Sequence, residues 1–316
     1  MASSAGSPLL LSVVVPAYNE AENLPLLYQR VRALDWAALG LEYEFLVVDD
    51  HSTDGTARVI EELRAADPRV KTLRFSRNFG SHAACTAGLE AAGGAAAVVL
   101  AADLQDPPEI IPELTAAWRK GFPLVWAVRG EREGESWQTR TTARLFYFLI
   151  KRLTRMNMPP NGADFFLLDR VVLEALRATP ERNTSLVAQI QWLGFDQTSL
   201  VYTKQARAAG ESKWTLRKRL KLAMDWVVGF SYFPIRFMSA LGLFFACAGF
   251  FYALFLVVRR FVFVVPVEGW TSLISVVLIM SGVQMVMLGV LGEYLWRSFD
   301  ASRQRPRFII ERRRGI

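Results

Sequence analysis

The stretch AAAVVLAADLQDPPE, residues 95–109, decides the fold class. Its first half is a continuous apolar run, which is typical of a strand that is covered on both faces. The run ends at two carboxylates, Asp103 and Asp106, and the Pro-Pro pair behind them favours the start of a helix. A buried strand that ends in polar residues and passes into a helix is the repeating unit of α/β proteins.

The same alternation precedes this stretch. Three further apolar runs are predicted strands: LLLSVVVP, EYEFLVVDD and VKTLRFS. Helical spacing of apolar residues predicts helices over 20–34, 56–66 and 82–92. Strands that alternate with helices predict a mostly parallel sheet with helices on both faces. The first run has no basic segment before it, so we interpret it as a strand and not as a signal peptide.

Polar residues follow every predicted strand. Ligands of such sheets bind beyond the carboxyl ends of the strands. The residues found there are Tyr18, Asn19 and Glu20, then Asp49 and Asp50, then Arg77 and Asn78, then Asp103 to Asp106. We therefore expect four strand ends to face one crevice.

Carboxylates of this crevice suggest two kinds of ligand. Asp103 and the neighbouring Gln105 offer the hard oxygen atoms that Mg²⁺ and Mn²⁺ favour alongside substrate phosphates. Such a metal would neutralise a leaving diphosphate. Asp106 suits the same use, or it caps the helix that begins at the prolines. One of the two carboxylates at the end of the second strand, Asp49 or Asp50, can accept a hydrogen bond from the imide N–H of uracil or from the N–H edge of guanine. Alternatively, their segment is an ordinary turn rich in Asp, Ser and Gly.

Two segments near the C-terminal end are long enough to span a membrane. Residues 238–258 carry no charge, residues 272–291 form a second such span, and roughly 20 apolar residues cross a bilayer as a helix. Basic residues are dense before the first span and after the second, whereas the loop between them has only Arg259 and Arg260. The positive-inside rule then predicts an integral membrane protein with both termini and the α/β domain in the cytoplasm.

Two basic segments with apolar residues at helical spacing, 143–156 and 214–230, precede the spans. The first suits a membrane interface or an ordinary surface helix equally well. For the second, the adjacent span favours the interface. The net charge of +7 and the isoelectric point near 9.6 indicate an anionic partner. Because the basic residues flank apolar spans, lipid headgroups are favoured over nucleic acid.

Four motifs carry a resemblance to a known family: VVPAYNE, VVDDHSTDGT, RNFGSHAACTAGLEAA and ADLQDPPE. In this order, and with ARAAGESKW ahead of a basic helix and two spans, the chain resembles family 2 glycosyltransferases of the GT-A fold. It is more closely similar to the polyprenyl-phosphate glycosyltransferases, which include dolichyl-phosphate mannose synthase and GtrB-type glucosyltransferases. The resemblance implies inverting transfer of a sugar from a nucleotide donor to a lipid-linked phosphate at the cytoplasmic face.

The resemblance also implies roles for matching residues. The nucleoside pocket would be lined by Pro16, Tyr18, Glu20 and Asp50, and Asp103 would hold Mg²⁺ or Mn²⁺ with Gln105 beside it. Asp164, in GADFFLLDR, would lie near the acceptor, and we expect it to position the acceptor more than to remove a proton. Arg207 and Lys213 would bind the acceptor phosphate. The implied division of the chain is a GT-A domain (1–210), a basic juxtamembrane helix (211–235), a two-span hairpin (236–296) and a basic tail (297–316).

Two positions depart from the family pattern. Ala101 stands where the family often has the first of two aspartates, and Phe166 stands where it often has an arginine. These departures favour an alternative hypothesis, a GT-A-like membrane scaffold without catalysis. For an active enzyme we expect UDP-glucose as donor and undecaprenyl phosphate as acceptor in a bacterial inner membrane, with other UDP-sugars or GDP-mannose as alternatives. Small residues in the second span, Gly282, Gly289 and Gly292, are compatible with a homo-oligomer.

Overall fold

The computed structural model describes residues 8–130, 164–179, 181, 185–203, 231, 233–262 and 269–316. The chain divides into two compact units, one from Met1–Leu222 with Pro306–Ile316 and one from Ala223–Arg305. The predicted basic segments at 143–156 and 214–230 lie outside the described residues.

The first unit is built from strands and helices in alternation. Its strands are β1 (Leu9–Ala17), β2 (Leu41–Asp49), β3 (Val70–Phe75), β4 (Ala96–Val99), β5 (Leu124–Arg129), β6 (Phe165–Asp169), β7 (Gln197–Tyr202) and β8 (Ile310–Arg314). Its helices are α1 (Asn23–Arg32), α2 (Thr56–Ala66), α3 (Ser81–Ala91), α4 (Ile111–Arg119), α5 (Arg170–Ala178) and α6 (Leu186–Trp192). The predicted strands and helices of the first hundred residues are all present, and the first predicted helix is shorter at both ends.

All eight strands form one sheet in the order β7-β5-β6-β4-β1-β2-β3-β8. β6 is antiparallel to β4 and β5, β8 is antiparallel to β3, and the remaining pairs are parallel. The prediction of a mostly parallel sheet is therefore confirmed. The edge strand β8 comes from the segment that the sequence analysis assigned to a basic tail, and it was not predicted.

Helix α3 packs unusually close to the centre of the sheet. A Cβ atom placed on Gly88 would lie 2.3 Å from Cγ1 of Val14 and 3.1 Å from Cγ2 of Val48. Both neighbours are fully buried valines of β1 and β2. Only glycine allows this approach, and it brings the start of α3 to the carboxyl ends of these strands.

The second unit contains two long helices, α7 (Phe233–Val262) and α8 (Trp270–Ser302). Their segments Phe233–Leu256 and Ser272–Ser302, of 24 and 31 residues, are long and apolar enough to cross a membrane, and most of their described apolar side chains are exposed. Within the unit, the hydroxyl of Tyr294 donates to the carbonyl oxygen of Ser231 over 3.2 Å. The two apolar helices that the sequence predicts are present, and both extend beyond the predicted spans.

Candidate active site

One edge of the sheet collects most of the candidate residues. Six strands, β1 to β5 and β7, run in the same direction and β6 runs against them, so six carboxyl ends and the amino end of β6 share this edge. We call it the carboxyl edge. Residues at or just beyond it are Tyr18, Asp50, Asp103, Arg129, Asp164 and Tyr202. The expected convergence of strand ends is therefore present, and β5, β6 and β7 add to it.

Three turns at the carboxyl edge contain a left-handed residue that is not glycine. Asn19, His51 and Leu104 follow β1, β2 and β4 and have φ angles of 57°, 61° and 59°. Such conformations are unfavourable and persist where surrounding contacts hold them, often at functional sites. The N–H of Asn19 donates to Ser52 Oγ over 3.0 Å, and Nδ1 of His51 lies 3.0 Å from the carbonyl oxygen of Phe75.

The end of β1 carries three of the predicted nucleoside-pocket residues. Pro16 lies beyond the residues of β1 that pair with β4, so β1 pairs there only with β2. A proline is tolerated at a position of this kind. Tyr18 is half-buried just after the strand. Glu20 contacts the starts of two helices: its backbone N–H donates to Oγ1 of Thr56 in α2 over 2.9 Å, and its carboxylate accepts from Nδ2 of Asn23 in α1 over 2.8 Å.

Asp50, at the end of β2, holds the loop that leads into α3. Its two carboxylate oxygens accept from the backbone N–H groups of Phe79 and Gly80 over 2.6 and 2.8 Å. Burial raises the pKa of Asp50, and the two N–H groups act in the opposite direction. Since Gly80 directly precedes α3, the carboxylate fixes the start of that helix at the carboxyl edge.

Asp103 and Gln105 lie close together after β4. Oδ1 of Asp103 accepts from the backbone N–H of Gln105 over 3.2 Å, and both residues are half-buried. Among the described residues, no group of three or more His, Cys, Asp or Glu side chains is arranged to hold a metal ion. The oxygen atoms present suit a hard cation that keeps water and substrate phosphates as its other ligands, which is the usual mode for Mg²⁺.

Four charged or polar side chains form a cluster across the ends of β5, β6 and β7, and we call it the bridge cluster: Asp106, Tyr202, Arg129 and Asp164. The hydroxyl of Tyr202 donates to the buried carboxylate of Asp106 and is also hydrogen-bonded to Arg129. Nη2 of Arg129 lies 3.4 Å from Oδ2 of Asp164.

The electrostatics of the bridge cluster favour a charged arginine. Burial acts against the guanidinium of Arg129, but the bond with Tyr202 and the charges of Asp164 and Asp106 together raise the pKa of Arg129. Burial and the charge of Asp106 raise the pKa of the Tyr202 hydroxyl, which therefore stays a hydrogen-bond donor at neutral pH. The cluster thus presents one fixed cation beside the carboxylate of Asp164.

The cluster corrects one expectation and reveals two residues that the sequence analysis missed. The interpretation of Asp106 as a helix cap is wrong, because the turn at Pro108–Ile110 begins without a side-chain cap bond and the carboxylate faces Tyr202. Arg129 and Tyr202 were not assigned to the site. The rule used for the first four strands would have found Arg129, since the apolar run LVWAV ends directly at it.

The two departures from the family pattern differ in their surroundings. Phe166 is buried in β6 and packs edge-to-face on Trp126 with ring centroids 5.3 Å apart, so this position belongs to the core. Ala101 is half-buried on the path from β4 to Asp103. The predicted acceptor-phosphate residues, Arg207 and Lys213, lie outside the described residues.

Comparisons with known proteins agree with this architecture. Residues 12–177 match the family described as Glycosyl transferase family 2. The chain is 37% identical over 301 residues to the bactoprenol glucosyl transferase of Shigella phage SfV, covering 95% of this chain and 98% of the relative. It is 39% identical over 305 residues to the glycosyltransferase YkcC of Bacillus subtilis (strain 168), covering 96% and 94%.

The chain belongs to glycosyl transferase family 2. The fold class expected for a family 2 glycosyltransferase is confirmed: a mostly parallel sheet with helices, joined to two long apolar helices. Among solved structures, the glucosyl-3-phosphoglycerate synthase of Mycobacterium tuberculosis, in complex with Mn²⁺, UDP and phosphoglyceric acid, is 19% identical with a TM-score of 0.49, covering 71% of this chain and 78% of that one.

Proposed function

We propose that this family 2 glycosyltransferase transfers glucose from UDP-glucose to a polyprenyl phosphate, such as undecaprenyl phosphate, with inversion at the anomeric carbon. The reaction joins the acceptor phosphate oxygen to the anomeric carbon and releases UDP. One observation carries the proposal. A relative named bactoprenol glucosyl transferase is 37% identical over 95% of the chain. The aligned part includes residues of the carboxyl edge and of both apolar helices.

The carboxyl edge supplies groups suited to the donor. Tyr18 and Pro16 lie at the end of β1, and Asp50 lies at the end of the neighbouring β2, which is where a nucleoside would bind in a parallel sheet. Asp103 and Gln105 would hold Mg²⁺ or Mn²⁺. When bound, the ion neutralises negative charge on the leaving diphosphate. Because Ala101 offers no carboxylate, we expect metal affinity to depend strongly on Asp103 and on the donor itself.

The acceptor needs cations more than it needs a base. A phosphate monoester has a second pKa near about 6, so much of it is already dianionic at neutral pH. Arg207 and Lys213 are the residues proposed to hold it. Nη2 of Arg129 lies 3.4 Å from Oδ2 of Asp164, which suits a carboxylate that orients the reactants.

We further propose that α7 and α8 form a transmembrane hairpin that places the glycosyltransferase domain and both termini in the cytoplasm, in a bacterial inner membrane. The basic residues on the outer flanks of the two helices support this orientation. A membrane location suits the acceptor, because a polyprenyl chain stays in the bilayer while its phosphate reaches the surface. The glycine positions of α8 support self-association of the hairpin as a homo-oligomer.

A donor panel with the full-length protein in detergent tests the proposal. Labelled UDP-glucose, UDP-galactose, UDP-N-acetylglucosamine and GDP-mannose would each be incubated with undecaprenyl phosphate and Mg²⁺ or Mn²⁺. We expect lipid-linked label from UDP-glucose, dependent on the lipid and abolished by EDTA. Preferred turnover of another donor would replace glucose by that sugar. The absence of turnover with every donor would overturn the proposal and favour the scaffold alternative.

A further inference from the structure

The C-terminal segment completes the sheet next to the proposed nucleotide site. β8 pairs with β3 from Phe75↔Ile310 to Thr72↔Arg314, and the N–H of Ser76 donates to the carbonyl oxygen of Ile309 over 3.0 Å. Just before β8, Phe308 stacks on Phe75 with ring centroids 5.1 Å apart. The segment therefore pairs with residues 72–75 of β3 and with the first residue beyond the strand.

A single arginine connects β8 with the end of β2. Nε of Arg74 donates to Oε2 of Glu311 over 3.2 Å, and Nη1 of the same side chain donates to Oδ2 of Asp49 over 2.5 Å. Asp49 is 1% exposed, so its carboxylate depends on protein partners for its solvation. Arg74 thus lies between a carboxylate of β8 and a buried carboxylate at the carboxyl edge.

From Asp49 the contacts continue into the turns around Asp50. The other carboxylate oxygen of Asp49 accepts from the N–H of Ser52 over 2.8 Å. The hydroxyl oxygen of Ser52 accepts from the N–H of Asn19 over 3.0 Å, which joins this turn to the one that follows β1. Both turns contain a left-handed residue, so their shape depends on such external contacts.

A second path leads from the same segment to the other side of Asp50. The ring of Phe75, which stacks on Phe308, also packs edge-to-face on Phe79 with centroids 5.5 Å apart. The N–H of Phe79 donates to Asp50. Two residues of the C-terminal segment are therefore linked to loops of the carboxyl edge, each through one intermediate side chain. Glu311 is linked through Arg74 to the turn that precedes α2, and Phe308 is linked through Phe75 to the loop that precedes α3.

We propose that the C-terminal segment 308–314 is a positioning element for the nucleotide, in which Glu311 orients Arg74 and Arg74 in turn fixes the Asp49–Ser52 turn. The segment then sets affinity for the nucleoside diphosphate part of the donor without touching it. This inference rests on the proposed function, because it takes the turn around Asp50 as part of the nucleotide site. The path lies at the ends of β1, β2 and β3, whereas Arg129 and Asp164 lie at the ends of β5 and β6, so binding of the acceptor is expected to be unaffected.

The two variants that test the path differ in severity. Glu311→Gln keeps the shape of the side chain but removes its charge, and its exposed position predicts a rise of about twofold to fivefold in nucleotide Kd. Arg74→Gln leaves the buried carboxylate of Asp49 without its cation and predicts a rise of roughly tenfold or more. Arg314→Gln, at an exposed position of the same strand, is the matched control and should bind like the wild type.

The measurements use the full-length protein in detergent with Mg²⁺ held constant. Isothermal titration with UDP and with GDP gives Kd, and steady-state rates give KM for donor and for acceptor separately. We expect Kd and donor KM to rise in both variants while acceptor KM stays constant. Unchanged Kd in Glu311→Gln would overturn the inference, as would parallel increases in the two KM values, which indicate a general structural defect. If Arg74→Gln does not fold, the milder Glu311→Gln decides.

The outcome separates this inference from the proposed function. If the wild type binds UDP and turns over UDP-glucose while Glu311→Gln binds UDP equally well, the positioning role fails and the function stands. If the wild type binds GDP in place of UDP, the donor assignment fails, and the same variants tested with GDP still decide the positioning role. If it binds neither nucleotide, both are overturned.

Discussion

The hydroxyl of Tyr202 donates a hydrogen bond to the carboxylate of Asp106, 96 positions earlier in the chain. The bond joins the end of β7 to the segment that follows β4, and the same hydroxyl contacts Arg129. This buried carboxylate, which the sequence suggests as a metal ligand or a helix cap, forms one end of the bridge cluster that leads to Asp164.

Removal of this hydroxyl is expected to destabilise the fold and slow the reaction. Tyr202→Phe keeps the ring that packs edge-to-face on Phe165 but removes the hydroxyl that donates to the carboxylate of Asp106, which is 2% exposed. We expect a loss of about 1–3 kcal/mol in the free energy of unfolding and a lower kcat. Denaturant unfolding of Tyr202→Phe, Asp106→Asn and the double variant measures the coupling; additive effects would contradict it.

Asp103 is expected to carry the metal dependence. Asp103→Ala should lower metal-dependent turnover by a factor of about 10² or more, because transition-state charge on the diphosphate loses its stabilisation. Rates measured over a range of Mn²⁺ and Mg²⁺ concentrations test this. Glu109→Gln is the control, since Glu109 is exposed and pairs with Arg30 away from the strand end. Unaltered metal dependence in Asp103→Ala would disprove the assignment.

Asp164 is expected to act by position and charge. Asp164→Asn should lower kcat at every pH between about 6 and 9, because the acceptor phosphate is already ionised and the amide removes the charge that faces Arg129. The measurement is a pH profile of kcat with the wild type alongside. Recovery of activity at high pH would indicate instead that the carboxylate serves as a base.

Gly88 is expected to be intolerant of any side chain. Gly88→Ala places a Cβ atom 2.3 Å from the rigid side chain of Val14, so α3 must shift away from β1. Overpacking of this kind lowers the free energy of unfolding by about 1–3 kcal/mol. Thermal unfolding measures the effect. Gly55→Ala is the matched control, because Gly55 has a φ of −73° and a Cβ atom there would lie 3.7 Å from Cβ of Ala21, an ordinary contact distance. A Tm above that of the wild type would contradict the tight packing.

Acid sensitivity is expected to come in part from Asp67. The bidentate hydrogen bonds from Arg69, together with the bond from the Tyr28 hydroxyl, hold the pKa of Asp67 well below its usual range. A depressed pKa in the folded state contributes stability above the unfolded value of about 4, and this stability is lost as the pH falls. Asp67→Asn should therefore lower Tm at pH 7, and the difference from the wild type should become smaller as the pH falls from about 4 towards 2.

The control for this pH dependence is Glu62→Gln, which removes an exposed i,i+4 pair with Arg58. Its Tm should stay close to that of the wild type across the same pH range, since exposed pairs contribute little. A constant difference in Tm between Asp67→Asn and the wild type at all pH values would show that the ionisation of Asp67 does not matter.

The first half of the sheet could be predicted because its signals are local. A continuous apolar run such as residues 95–102 predicts a strand that is covered on both faces. The polar residues that follow such a strand in the sequence must then lie at the carboxyl edge. The positions of Asp50 and Asp103 follow from this rule alone. The same rule applied to β5 would have added Arg129.

The second half could not be predicted because its contacts are long-range. The antiparallel insertion of β6 between β4 and β5 brings Asp164 beside Arg129, and nothing in the local pattern fixes that strand order. β8 has the sequence IERRR with four of five residues exposed, so it lacks the apolar alternation by which strands are recognised. Its place is determined by the free edge of β3 and by the charges of Arg74 and Glu311.

The position of β8 in the chain also bears on how the protein is made. β3 is synthesised early, but the strand that covers its edge follows both apolar helices. During synthesis the edge of β3 therefore stays unpaired until α7 and α8 have left the ribosome. An unpaired strand edge is a known route to aggregation. With the transmembrane hairpin proposed above, the order of the elements predicts that the helices enter the membrane before the sheet is complete, so that the proposed nucleotide site is finished only at the membrane.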